Sequence, residues 1–179
     1  AFTVIFGETD NDFGLRVAGR TDAGVHAIGC VAHADLSDEQ LARLGRQTID
    51  DLAYKLNGLL PNDLRVSAVV AAPVGFDARF SAISRRYRYR IADGLSVSNA
   101  LEARHTLQVI WKLDAAAMNT AAQELIGLHD FASFCKPREK STTIRTLQEV
   151  SVVRAAGGVI EIELQADAFC HNMVRSIVG

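Results

Sequence analysis

Alternation and helical spacing divide this chain into segments whose ends carry glycine, proline or short polar runs. Residues 1–6 (AFTVIF) are apolar and partly β-branched, which by itself predicts a strand. The polar run at 7–12 predicts a turn, and Leu15-Arg16-Val17-Ala18 a short strand. Residues 27–34 predict a further strand of small residues. Its His33 reads as structural, because no metal-spaced partner accompanies it. Ser37 opens the first clear helix, with Gln40 at the capping-box position and Asp38 and Glu39 in the first turn. Leu41, Leu44, Leu52, Leu56, Leu59 and Leu60 then recur at mostly helical spacing, with a looser fit around Gly45. Pro61-Asn62-Asp63 ends that run, and residues 64–72 predict a strand closed by Pro73 and Gly75.

The second half alternates more regularly. Residues 85–91 (RRYRYRI) predict a strand with Arg86, Arg88 and Arg90 on one face and Tyr87, Tyr89 and Ile91 on the other. Asp93-Gly94 closes it, and 105–111 predicts another strand after a polar connection. Asp114 caps a second helix whose apolar face is Ala117, Met118, Ala121, Leu125, Ile126 and Leu128. Residues 130–135 form an aromatic loop, and the polar, basic stretch 136–143 (with Lys136, Arg138 and Lys140) reads as a surface loop able to touch an anion. Gly157-Gly158 between 144–155 and 159–166 signals a hairpin. In its second strand Ile160, Ile162 and Leu164 oppose Val159, Glu161, Glu163 and Gln165, so the sheet is buried mainly on one side. Residues 168–179 predict a helix with His171 and Arg175 on one face at i and i+4.

Composition narrows the class. At 179 residues, 49% hydrophobic and 22% charged, the chain suits one domain or two small packed halves with a real core. A net charge of −2 argues against nucleic-acid binding through overall charge, but not against a local basic groove. Cys30, Cys135 and Cys170 are far apart, odd in number and without a CxxC pair. That favours reduced thiols over a disulfide framework or a zinc site, and no metal is expected. No apolar run approaches bilayer length and no signal peptide opens the chain, so a soluble, cytoplasmic protein without a membrane partner is expected.

The chemistry centres on residues 19–27, Gly-Arg-Thr-Asp-Ala-Gly-Val-His-Ala. Two glycines bracket Arg20 and Asp22 and permit conformations or close approaches closed to other residues. The loop is either a polar turn whose Asp caps local amides, or the seat of a reactive carboxylate. It is not a phosphate-binding P-loop, since Val25-His26 stand where Lys-Ser/Thr would be required. The three arginines of 86–90 repel one another unless anions, acidic side chains or phosphates meet them. A solvated face and a surface that tracks phosphates and stacks bases are both open readings.

Three blocks, GRTDAGVHA (19–27), FDARFSAISRRYRYRI (76–91) and ADAFCHNMVRSIVG (166–179), together resemble the TruA family of tRNA pseudouridine synthases. NGLLPNDLRV (57–66) and DFASF (130–134) fit the same pattern, so the resemblance runs in order over nearly the whole chain. It implies an isomerase that converts uridine to pseudouridine in the tRNA anticodon stem-loop, at tRNA positions 38–40, without metal or other cofactor. Asp22 matches the nucleophilic aspartate, Arg20 an arginine holding the flipped-out nucleotide, Tyr87 the tyrosine that stacks on the target base, and Arg175 the basic partner of the carboxylate. As RNA contacts the chain offers Arg79, Arg86, Arg88, Arg90, Lys136, Arg138 and His171.

The resemblance also implies the pseudouridine synthase fold. That is α+β, with two similar halves of mostly antiparallel sheet, helices on one face of each and an active-site cleft between them. Residues 1–83 would form the half with the aspartate loop and 84–179 the half with the tyrosine strand and arginine helix. Family members act as homodimers on one tRNA. They carry a strand and helix before the aspartate loop and further strands after the segment matching 176–179, so a chain truncated at both ends is expected. On that ground residues 1–6 should be the end of a helix, against the strand reading of their composition. Two other classes stay open: an RNA-binding module without turnover, which would have no use for Asp22 beside phosphates, and a hydrolase using Asp22 with His26 or His171. No serine or cysteine in a recognisable elbow supports the last.

Overall fold

A computed structural model describes residues 1–7, 13–44, 48–94, 99–138 and 141–179. The expected turn at 8–12, the junction at Gly45, the start of the connection after Gly94 and Lys140 of the basic loop lie outside the described residues. The architecture is mixed α+β, and the chain divides into two compact units. Unit 1 comprises Ala1–Arg20 and Ala27–Ala82; unit 2 comprises Thr21–His26 and Ile83–Gly179.

Unit 1 is mainly helical. Helix α1 (Phe2–Phe6) ends at Gly7, whose φ of 69° supplies the left-handed cap. The helical reading of 1–6 therefore holds over the strand reading. Its reason is tertiary: Phe2, Phe6 and Phe13 pack ring against ring, and Phe6 and Phe13 share a buried cluster with Leu44, Leu52 and Leu56. The long helix read from the leucine spacing is two helices, α2 (Asp38–Ala42) and α3 (Ile49–Leu59). Ser37 caps α2 with the expected capping box to Gln40, and Thr48 with Asp51 makes a second one for α3. Leu52 and Leu56, one turn apart, put their side of α3 into the core.

Two strand expectations fail in unit 1. The strand read at 27–34 shrinks to β2 (Ala32–His33), which pairs antiparallel with β1 (Arg16–Val17). Residues 64–72 form no strand. There the Asn57 side chain takes the place of a neighbouring strand, its amide donating to the carbonyl of Val66 (2.8 Å) and its oxygen accepting from the Val66 N–H (2.8 Å). A β-rich composition forms a strand only where a partner offers a ladder.

Unit 2 is built on a five-stranded sheet in the order β4-β3-β7-β6-β5: β4 (Leu107–Gln108), β3 (Arg85–Ala92), β7 (Ile160–Ala166), β6 (Ile144–Arg154) and β5 (Gly127–Asp130). All neighbours are antiparallel except β3 and β4. The strand expected at 105–111 shrinks to the two-residue β4, which follows a 3-10 helix over Ala100–His105. The glycine hairpin forms as expected, with Gly158 at φ 84°. Ile160, Ile162 and Leu164 of β7 are buried together with Ile91, Leu147, Val150 and Val152. Between Leu147 and Glu149 the β6–β7 register shifts by a bulge. The inserted residue lets both Gln148 and Glu149 face solvent before Val150 returns to the core.

Helix α4 (Ala115–Gln123) starts at Asp114, which accepts from the amides of Ala116 and Ala117 as a good N-cap should. Its buried side differs from the expected one. Ala122 is buried and Ala115, Met118 and Leu125 pack against the core, whereas Ala117, Ala121, Ile126 and Leu128 are exposed. The helix stops at Gln123 and Gly127, at φ 119°, turns the chain into β5, so the helical period no longer applies at Leu128. Asn119 and Gln123 then satisfy the Val152 N–H and Val150 carbonyl of β6 beyond the reach of β5.

The helix expected over 168–179 is only α5 (Met173–Val178), entered through Asn172 at φ 74°. Residues before it are held elsewhere: the Ala168 N–H donates to Asp167, the Lys136 N–H donates to the His171 carbonyl, and Cys170 is bonded to Cys135. His171 thus lies outside the helix, and its expected i, i+4 relation to Arg175 is lost. The Cys135–Cys170 disulfide also corrects the expectation of three reduced thiols. These cysteines are 35 apart in sequence, and only the fold brings their Cα atoms to 5.7 Å. Cys30 is a free, exposed thiol. No described helix is long and apolar enough to cross a membrane.

Candidate active site

Within the 19–27 loop, the Val25 N–H donates to the Asp22 carbonyl at 3.0 Å and closes a tight turn. Gly24 sits in it at φ 77° with nothing within 4 Å of where a Cβ would be, so backbone conformation rather than space asks for glycine. The backbone closes this turn, which frees the Asp22 side chain from capping duty. Its carboxylate Oδ2 lies 3.7 Å from Nη2 of Arg175 on α5, and the same Nη2 donates to the Ala23 carbonyl at 3.4 Å. Two residues separated by more than 150 positions therefore meet in one pair. At the end of the segment, His26 Nε2 lies 3.3 Å from the Arg104 carbonyl, and its ring meets that of His105 edge-on at 5.7 Å.

Tyr87 on β3 faces the core side of the sheet, directly across from Leu164. Its half-buried ring meets Phe169 in a T-shaped contact with centroids 5.0 Å apart. Such edge-to-face pairs add roughly 0.5–1.5 kcal/mol beyond burial and fix ring orientation. Phe169 belongs to the same C-terminal block as Arg175. Sequence reading missed its role, although an aromatic inside a motif-like block was the available signal.

The opposite face of β3 carries the three arginines, and carboxylates meet them. Arg86 reaches Glu149 (3.0 Å) and Gln165 (2.6 Å), Arg88 reaches Glu163 (2.5 Å), and Arg90 reaches Glu102 (2.6 Å) with Glu161 at 3.3 Å. The register explains this, since Arg86, Arg88 and Arg90 stand directly opposite Gln165, Glu163 and Glu161 of β7. Hydrogen bonding to Glu163, then its charge, pushes the Arg88 guanidinium up from its ordinary value, and the bond to Glu102 does the same for Arg90. In return, the Arg90 bond holds Glu102 below the usual carboxylate range. A phosphate arriving at this face would have to displace a carboxylate.

Of the other expected residues, Arg20 and Arg79 belong to unit 1. Arg79 lies over the Phe80 ring at 5.3 Å, and its backbone N–H donates to Asp77. Lys136, Arg138 and His171 belong to unit 2 with exposed side chains, and the Lys136 N–H to His171 carbonyl bond (2.9 Å) ties the basic loop to the segment before α5. Among the described residues no cluster of His, Cys, Asp and Glu could hold a metal ion.

Residues 121–179 match a family described as tRNA pseudouridine synthase. The chain is 54% identical over 173 residues to tRNA pseudouridine synthase A of Streptomyces avermitilis, covering 97% of this chain and 59% of that protein. It is 50% identical to tRNA pseudouridine synthase A of Leifsonia xyli, covering all of this chain and 66% of that one. With the Mycobacterium leprae protein of the same name the identity is 43%, covering all of this chain and 64% of the relative. The chain thus spans roughly six-tenths of the length of the curated relatives it matches.

Proposed function

This chain belongs to the tRNA pseudouridine synthase family, and on that premise we propose that it isomerises uridine to pseudouridine in tRNA with Asp22 as the attacking carboxylate. The substrate region is the anticodon stem-loop, and the working form is a homodimer in the cytoplasm. The observation that carries this reading is the Asp22–Arg175 pair, 3.7 Å apart and open to solvent on both sides.

The chemistry requires the bond from ribose to uracil N1 to break, the base to turn, and a new bond to form through C5, with the C5 proton leaving to solvent. A uridine in a stem must first be extruded, at a cost of roughly a few kcal/mol. Tyr87, its ring oriented by Phe169, offers a surface on which the extruded base can stack. Arg20, two residues before Asp22, would hold the displaced nucleotide by its phosphate. Asp22 has to stay ionised while RNA covers it, and a guanidinium alongside favours the charged form against the desolvation that would neutralise it. A metal has no part in this scheme. Lys136, Arg138 and His171 remain candidates for phosphate contact, whereas Arg86, Arg88 and Arg90 already have acidic or amide partners.

Tritium release from C5-labelled uridine in tRNA tests the proposal. Release should occur with the unsubstituted chain and vanish with both Asp22→Ala and Asp22→Asn. Turnover surviving either change would remove Asp22 from the nucleophile role, and tRNA binding with no release by the unsubstituted chain would favour a binding module.

A further inference from the structure

We propose that His26 is a positioning residue that sets where the Asp22 turn sits, acting through the 3-10 helix Ala100–His105; the inference rests on the reading of Asp22 as the reacting carboxylate. The turn has little else to hold it. Asp22, Ala23, Gly24 and His26 are exposed, and Val25 is the one partly buried side chain among residues 22–26. Its ties are polar, with Arg175 at the Asp22–Ala23 end and His26 at the other. A backbone carbonyl can only accept, so the bond from His26 to the Arg104 oxygen requires the proton on Nε2. The edge-on contact with His105 then limits rotation of the ring.

The anchor point is itself pinned. Glu102, in the same 3-10 helix, takes the Arg90 guanidinium of β3 at 2.6 Å, and the Asn99 side chain caps the start of that helix. β3 is also the strand that carries Tyr87. The reacting carboxylate and the stacking tyrosine are thereby both referenced to one strand, Asp22 through His26, residue 104, Glu102 and Arg90, and Tyr87 directly. This gives His26 and Arg90 work that requires no contact with RNA.

The test uses the whole chain with His26→Ala and His26→Gln. The Gln amide nitrogen reaches about as far as Nε2 and can donate to the same carbonyl, so it restores the tether without the ring. Two readouts run in parallel: kcat and KM for tritium release from tRNA, and ¹⁵N order parameters for residues 22–25. His26→Ala should lower kcat roughly tenfold, in line with the cost of a small misplacement of a reacting group, with KM within about twofold and an unchanged melting temperature. Order parameters at 22–25 should fall from near 0.8 to about 0.6 or below, and His26→Gln should recover most of both losses. Unchanged order parameters in His26→Ala would overturn the tether. Loosened residues with unchanged kcat would overturn the positioning role, and a Gln variant as impaired as Ala would overturn the hydrogen-bond account. If the unsubstituted chain releases no tritium, the functional reading fails instead, and the order parameters still decide the tether.

Discussion

Arg175 stands 3.7 Å from Asp22 with 46% of its side chain and 55% of the aspartate's exposed, and the Arg175→Ala variant tests what that proximity is for. Unit charges about 4 Å apart attract by about 1 kcal/mol in water and by about 4 kcal/mol at an effective dielectric constant near 20. In the free protein both groups are half in water, and the ordering of a long side chain offsets most of the smaller figure. Exposed pairs of this kind contribute about 0–1 kcal/mol to stability. When RNA covers the site the local dielectric falls, and the difference of about 3 kcal/mol becomes available to keep the carboxylate charged in the covered state. That difference corresponds to about 100-fold in rate, so Arg175→Ala should lower kcat for tritium release by about 10- to 100-fold. Its urea midpoint should shift by no more than that of an ordinary surface change. Arg175→Lys, which keeps the charge but loses the planar fork that also reaches the Ala23 carbonyl, should fall between the two. Full activity in Arg175→Ala would refute the electrostatic role. A loss of activity that tracks a large loss of stability would make the pair a structural tie.

Three further outcomes follow from other parts of the molecule. Tyr87→Phe should keep the Phe169 contact and most turnover, while Tyr87→Ala should lose turnover by at least about tenfold with tRNA binding retained, the scale of one lost base stack; full activity in the Ala variant would remove the stacking role. Asp93 has a side chain only 2% exposed, and its hydrogen bonds from Arg154, followed by that from the Leu113 amide, hold it well below the usual carboxylate range. Because the folded state depresses this group, its stabilisation is present above about pH 4 and drains away as pH falls below that value toward the folded one; Asp93→Asn should melt lower at pH 7 and lose less on acidification, and parallel melting curves would refute this. Thiol titration of the denatured, unreduced protein should find one reactive thiol, Cys30, and three after reduction; three at the outset would show Cys135 and Cys170 to be unbonded.

Strands β3 and β7 were legible from their alternation, which burial follows closely in β7 and over the first part of β3, and β6 from the glycine hairpin signal at its end. Local signals also sufficed for Ser37 and Asp114, whose caps depend on residues two or three positions away. The failures share a cause in long-range context. Residues 64–72 have strand composition, but Asn57 rather than a strand takes their backbone. Residues 168–172 have helix composition, but a disulfide, a bond from Lys136 and a left-handed Asn172 hold them out of the helix. Neither competing partner is written in the segment it captures.

The same limit applies, with more consequence, to the arginines of β3. Alternation alone places Arg86, Arg88 and Arg90 on one face, and that face needs negative charge near it. Whether phosphates or carboxylates supply the charge depends on the register with β7, and the register sets Gln165, Glu163 and Glu161 directly opposite. Adding Glu149 and Glu102, the face carries four carboxylates against three guanidinium groups, so at neutral pH it does not attract RNA by net charge. The pairs are exposed and individually weak, and a phosphate could compete for Arg86 or Arg88, where solvent already reaches both partners. Arg90 is the exception. Its side chain is mostly buried between Glu102 and Glu161, and withdrawing it would release the 3-10 helix that anchors His26. Neutralising Arg86 and Arg88 together should therefore leave the salt dependence of tRNA binding nearly the same as that of the unsubstituted chain, with the slope changing by well under 1 per charge removed. Arg90→Gln should instead lower kcat while leaving that slope in place. A slope reduced by about 1 for each arginine removed would show that RNA does displace the carboxylates, and that the ladder guards a binding face rather than replacing one.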